Sequence, residues 1–111
     1  MIVYGIKSCG SVRKAVKILK EKDIEYSFFD FKKESVNEAK IREWLEKTTV
    51  DKLFNNRGTK YRTLKLKELN LDKEGKIEWL AKENMLIKRP VIENGEELII
   101  GFNEDLIKDL K

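Results

Sequence analysis

The chain has 111 residues, 40% of them charged, and a formal net charge of +4. That length supports a single domain with one hydrophobic core, and Lys and Glu interspersed nearly everywhere give no concentrated basic field, so direct nucleic-acid binding is not expected. No apolar run approaches the roughly 18 residues of a membrane span, and MIVYGIKSCG lacks the basic start and long apolar centre of a secretion signal.

The first stretch, IVYGI at 2–6, is short, β-branched and aromatic, and reads as a strand. Val12, Ala15, Val16 and Leu19 follow at helical spacing with lysines between them. They predict an amphipathic helix that starts near Ser11 and ends before Asp23. EYSFFDF at 25–31 reads as a second strand. Strand, helix and strand in this order make a βαβ unit with parallel strands and a right-handed crossover.

The middle of the chain is expected to be a helical insert over about 35–86. Ser35 and Glu38 fit a capping box ahead of Ile41, Trp44 and Leu45. A further helix is predicted to begin at Asp72 and turn Ile77, Leu80 and Ala81 inward. TLKLKEL at 63–69 alternates apolar and basic residues and reads either as strand or as short helix plus loop. Beyond Pro90, Asn94-Gly95 predicts a hairpin with a type I′ turn between strands near 90–93 and 97–101. Asn103 caps a last helix, with Glu104 and Asp105 in its first turn and Leu106, Ile107 and Leu110 expected to be buried. The whole order is βαβ, helical insert, ββα. It is the element order of the thioredoxin-like fold, an α/β architecture with a mixed four-stranded sheet.

Cys9 is the only cysteine and there is no histidine. An internal disulfide is impossible, a reducing cytoplasm is the natural compartment, and a zinc site is not expected from the remaining ligands. Cys9 lies between the first strand and the first helix. Free backbone N–H groups and the helix dipole favour a thiolate there, and Gly10 leaves room for a substrate. The competing reading is an inert, buried thiol.

YGIKSCGSVRKA at 4–15, NNRGTKYRTL at 55–64, LIKRPVI at 86–92 and IIGFNED at 99–105 together resemble the ArsC/Spx family of thioredoxin-fold proteins. That family includes arsenate reductases, YffB-like thiol reductases and Spx-type transcription regulators, and NNRGTKYRTL is most similar to the YffB-like branch. The resemblance implies that Cys9 is the catalytic nucleophile and that Arg57 and Arg89 hold an oxyanion or a thiolate adduct. It makes Pro90 the proline whose preceding bond is cis, with Gly10, Ser11 and Pro90 lining the substrate position. It implies no bound metal or organic cofactor, glutathione as co-substrate, and glutathione or a glutaredoxin as the external reductant. Read without it, Arg57 is a solvated loop residue and Pro90 a hairpin starter.

The departures from the family pattern are also informative. The second cysteine of Spx-type regulators is replaced by Val12, so a CxxC switch is impossible. The histidine upstream of the arsenate reductase cysteine is replaced by Gly5, and Gly101-Phe102 stands where those enzymes carry a third arginine. Arsenate is therefore a doubtful substrate. The basic run Arg57, Lys60, Arg62, Lys65, Lys67 either draws anionic substrates such as glutathione or is an ordinary solvated face. The expected function is that of a single-cysteine thiol-dependent reductase. The alternative is an Spx-like regulator that binds the RNA polymerase α subunit without catalysis.

Overall fold

The β-branched and aromatic residues at the N-terminus form strand β1 (Ile2–Gly5), and the amphipathic stretch after Cys9 forms helix α1 (Gly10–Glu21). These elements come from a computed structural model that describes all residues, Met1–Lys111. Strand β2 (Ser27–Asp30) is followed by short helices α2 (Glu38–Trp44), α3 (Val50–Leu53) and α4 (Thr59–Thr63), then by α5 (Lys73–Lys82). Strands β3 (Val91–Asn94) and β4 (Glu97–Ile100) and helix α6 (Glu104–Lys108) complete the chain. The residues group into two compact units, one of Met1–Glu34 with Arg89–Lys111 and one of Ser35–Lys88.

In the first unit the sheet order is β2-β1-β3-β4. β1 and β2 are parallel, while β1–β3 and β3–β4 are antiparallel, so the sheet is mixed. Successive strand residues face opposite ways, and the register places Val3, Phe28, Ile92 and Ile99 on one face. These pack with Ala15 and Leu19 of α1 and with Ile107 and Leu110 into one core cluster. On the other face Tyr4, Phe29 and Phe31 form an aromatic group with ring centroids 5.0–6.2 Å apart. The Tyr4 hydroxyl there donates to Glu93 Oε1 at 2.7 Å.

Two local expectations for this unit are corrected. The hairpin loop is Gly95-Glu96, because Asn94 still pairs with Glu97. Only Gly95 has positive φ, +61°, which is the pattern of a type II′ rather than a type I′ turn. Leu106 is exposed, since Ile107 on this one-and-a-half-turn helix and Leu110 just beyond it take the inward positions. Asn103 does cap the helix, accepting from Leu106 N at 3.1 Å. A hydrogen bond from Lys108 holds the Glu104 carboxyl below its ordinary range.

In the second unit the capping box at Ser35 is replaced by a cap from Asn37, whose Oδ1 accepts from Lys40 N at 3.0 Å. Asn and Ser cap comparably well, and the helix starts two residues later than a cap at Ser35 requires. Asp72 caps α5 as expected, with Gly75 N donating at 2.7 Å. Ile77 and Leu80 are buried, whereas Ala81 is only half-buried. The 63–69 segment is short helix and turn, not strand: α4 ends at Thr63, Lys65 has φ of +53°, and a 3-10 turn covers Leu66–Leu69. Arg42 bonds Glu74 and Glu38, which holds Glu74 below its usual carboxylate range.

Asn84 is the one buried polar side chain. Its Oδ1 accepts from Val36 N at 2.7 Å, and its Nδ2 donates to Leu80 O at 2.9 Å and Val36 O at 3.3 Å. It thereby closes the start of the insert onto the end of α5.

Candidate active site

Parallel strands joined by a helix gather their carboxyl ends at one sheet edge, where ligands bind in open α/β sheets. Here that edge carries the loop from Ile6 to Cys9. The loop is tight: Cys9 N donates to Ile6 O at 3.2 Å, and Arg13 N donates to Cys9 O at 3.0 Å. Cys9 is thus the N-cap residue of α1, with extended backbone at φ −77° and ψ 126°. Its side chain makes no capping hydrogen bond, and the first helical turn contains no acidic residue. The thiol is partly exposed rather than buried. Cys9 therefore sits at the N-terminal, positive end of a three-turn helix.

Gly10 is exposed, and a Cβ added there would meet nothing within 4 Å. The space beside Cys9 is open, so this glycine answers to no packing demand of the chain itself. Ser11 follows within the first turn of α1 and is half-buried. Arg13, one turn on from Cys9, donates from Nη2 to Ser8 O at 3.3 Å and so braces the loop that presents the thiol. Arg13 lies within YGIKSCGSVRKA, whose residues by themselves assign it no role. Its spacing of four from the cysteine was the available signal.

Pro90 precedes β3, and the Arg89–Pro90 bond is cis. Tyr4 pairs with Val91, so the next step along each strand brings Pro90 to the sheet edge where β1 leaves toward Cys9. The same edge receives β4, because Gly101 N donates to Pro90 O at 2.8 Å. Pro90 is buried, Arg89 is half-buried, and the Arg89 Nε atom lies below the surface. Cys9, Gly10, Ser11, Arg89 and Pro90 therefore all belong to the first unit.

Arg57 belongs to the second unit and is exposed. Its loop is ordered by its own polar groups. Asn55 N donates to Leu86 O at 2.8 Å, while Asn55 Oδ1 accepts from Arg57 N at 3.1 Å. Arg62 Nη1 then donates to Arg57 O at 2.9 Å. A side chain at Gly58 would collide with Asn55, its Cβ lying 2.8 Å from Nδ2, so NNRG is a packed turn rather than a slack loop. Within the basic run, Lys60 pairs with Glu83 at 3.8 Å.

The ArsC family matches this sequence over residues 4–110, nearly the whole chain. The chain belongs to the ArsC family. Among its relatives, YusI of Bacillus subtilis strain 168 is 36% identical over 96% of this chain and 93% of its own length. The global transcriptional regulator Spx of Listeria innocua is 31% identical over 96% of this chain and 82% of its own. Among solved structures, a YFFB protein superposes with a TM-score of 0.87 at 32% identity, covering 95% of this chain and 93% of that one. The fold is accordingly the thioredoxin-like fold of ArsC-family proteins, as the element order predicts.

Proposed function

We propose that this protein is a thiol-dependent reductase that works through one cysteine, Cys9. The observation that carries the reading is the setting of Cys9, partly exposed at the N-cap of α1 beside open space at Gly10. A thiolate so placed is a nucleophile for an oxidised sulfur substrate. Its attack on a glutathione mixed disulfide forms a Cys9–glutathione disulfide and expels the substrate thiolate. A free glutathione thiolate then attacks that adduct, regenerates the Cys9 thiolate and leaves as glutathione disulfide. The substrate gains two electrons, and two glutathionyl units leave joined. With no second cysteine in the chain, the reductant has to come from outside. Glutathione, or a glutaredoxin, fills that role.

Arg57 and Arg89 are each assigned to holding an anion, since a guanidinium fork offers paired donors to a carboxylate or oxyanion. Gly10, Ser11 and Pro90 line the substrate position in this proposal, and the compartment is the cytoplasm. No helix is long and apolar enough to cross a membrane. Turnover of a panel of glutathione mixed disulfides, with arsenate included and Cys9→Ser beside wild type, tests the assignment. Mixed-disulfide turnover that disappears in Cys9→Ser is expected, and equal rates in the two proteins contradict it.

The similarity to Spx over 96% of the chain favours a second reading, a regulator that docks on RNA polymerase. A pull-down with the C-terminal domain of the polymerase α subunit separates the two. Capture without any mixed-disulfide turnover would support the regulator.

A further inference from the structure

An open groove of about 650 Å³ runs between α1 and the edge strand β2. Its floor is apolar, with Val12 and Val16 on the helix side and Tyr26 and Phe28 on the strand side. Val16, Tyr26 and Phe28 pack on the core yet remain only partly buried. Its rim is cationic. Arg13, Lys17 and Lys20 recur along one side of α1, Lys7 adds a charge at the Cys9 end, and Glu21 is the one carboxylate in the lining. Lys7, Lys17 and Lys20 take part in no ion pair, while Arg13 spends one nitrogen on Ser8 O.

We propose that this groove docks an extended acidic segment of a partner protein, with its carboxylates on the α1 cations and its apolar side chains on the floor. The distribution of charge chooses this occupant over a small single-headed anion. A lone carboxylate or phosphate wants cations converging on one point, whereas these are strung along the helix over roughly 10 Å. An extended chain advances about 3.3 Å per residue, so alternate acidic side chains recur every ~6.6 Å, close to one helical turn. Alternation also turns the intervening side chains away from the carboxylates, which suits an apolar floor beside a basic rim. At the Lys7–Arg13 end the groove meets the loop that holds Cys9. A docked segment would therefore deliver the partner's oxidised cysteine to the thiol, a use that rests on the reductase reading, although the docking itself does not.

The test reads binding without turnover, so its failure and that of the reductase reading are separable. Isotope-labelled Cys9→Ser protein is titrated with the acetylated, amidated peptide Glu-Val-Glu-Phe-Glu-Val-Glu while amide shifts are followed. Shifts confined to residues 12–20 and 26–28 are expected, with affinity falling steeply as salt rises. The exposed double variant Lys17→Glu, Lys20→Glu should bind about tenfold more weakly, since each rim charge carries up to roughly 1 kcal/mol. The same peptide with lysine in place of glutamate should not bind. The proposal is overturned if the charge-reversed protein binds equally well, or if the peptide shifts nothing while octanoate shifts the same amides. Concentration-dependent shifts at those amides in the protein alone, with no response to peptide, would assign the groove to a second copy of this chain instead.

Discussion

Gly5 and Val12 fit into one another: a Cβ built at position 5 would lie 2.6 Å from Val12 Cγ2 and 3.2 Å from Cγ1. β1 and α1 approach closely at this point because the strand residue has no side chain and the helix residue fills the space. At both positions the family resemblance leads one to expect another residue, a histidine upstream of the cysteine as in arsenate reductases and a second cysteine as in Spx-type regulators. The two departures are sterically coupled. A side chain at position 5 fits against valine at position 12 only if one of them shifts.

Gly5→Ala should therefore destabilise the protein by about 1–3 kcal/mol, the usual cost of overpacking a well-filled core. Val12→Ala, harmful on its own, should cost less in the Gly5→Ala background than in wild type. Urea unfolding of the four proteins gives the coupling. Strict additivity would mean that the two residues do not share the space.

Val12→Cys places a second thiol one helical turn from Cys9, at a buried position on the first turn of α1. Under mild oxidation this variant should form an internal disulfide, seen as the loss of both free thiols in a monomer. Its turnover should then depend less on added glutathione, because a resolving thiol is in place. Dimers alone would contradict this placement of Cys9 relative to the helix.

Arg57→Lys and Arg89→Lys should each lower turnover while leaving the unfolding midpoint near that of wild type, since lysine keeps the charge but not the paired donors. If both arginines serve one anion, the double variant should lose less than the sum of the single losses. Sulfate should slow alkylation of Cys9 in wild type, and slow it less in either variant. Wild-type turnover and protection in both variants would remove the anion-holding role.

The strands, α1, the Asp72 and Asn103 caps and the hairpin position were legible in the sequence, because periodicity and capping chemistry act over a few residues. What was not legible depended on choices between equivalent local signals. Ser35 and Asn37 are both good caps, and the helix starts from Asn37 while the distant Asn84 holds the Val36 N–H and carbonyl. Asn94-Gly95 and Gly95-Glu96 are both acceptable two-residue loops, and the pairing of Ile92 with Ile99 selects the second. The one-turn helices α3 and α4 are too short to show a period. At the site, Cys9 and Pro90 stood out by residue type, whereas the bracing role of Arg13 required the fold.

Asn84 was also invisible in the sequence, since a polar residue after a helix reads as an ordinary helix end. Asn84→Leu should destabilise the protein by about 1–3 kcal/mol, because it strands the buried Val36 N–H that Asn84 Oδ1 accepts. Val36 backbone protection from hydrogen exchange should fall in the variant. An unchanged unfolding midpoint would show that the bond is not needed.

The central claim is that Cys9 carries the substrate covalently and that an outside thiol releases it. The direct measurement is the intact mass of the protein during mixed-disulfide turnover, sampled after acid quench and mapped to the modified residue. A single glutathionyl adduct on Cys9 should appear, then decay on addition of free glutathione at a rate no slower than turnover. Turnover without that adduct, or an adduct that free glutathione releases more slowly than the enzyme turns over, would contradict the account.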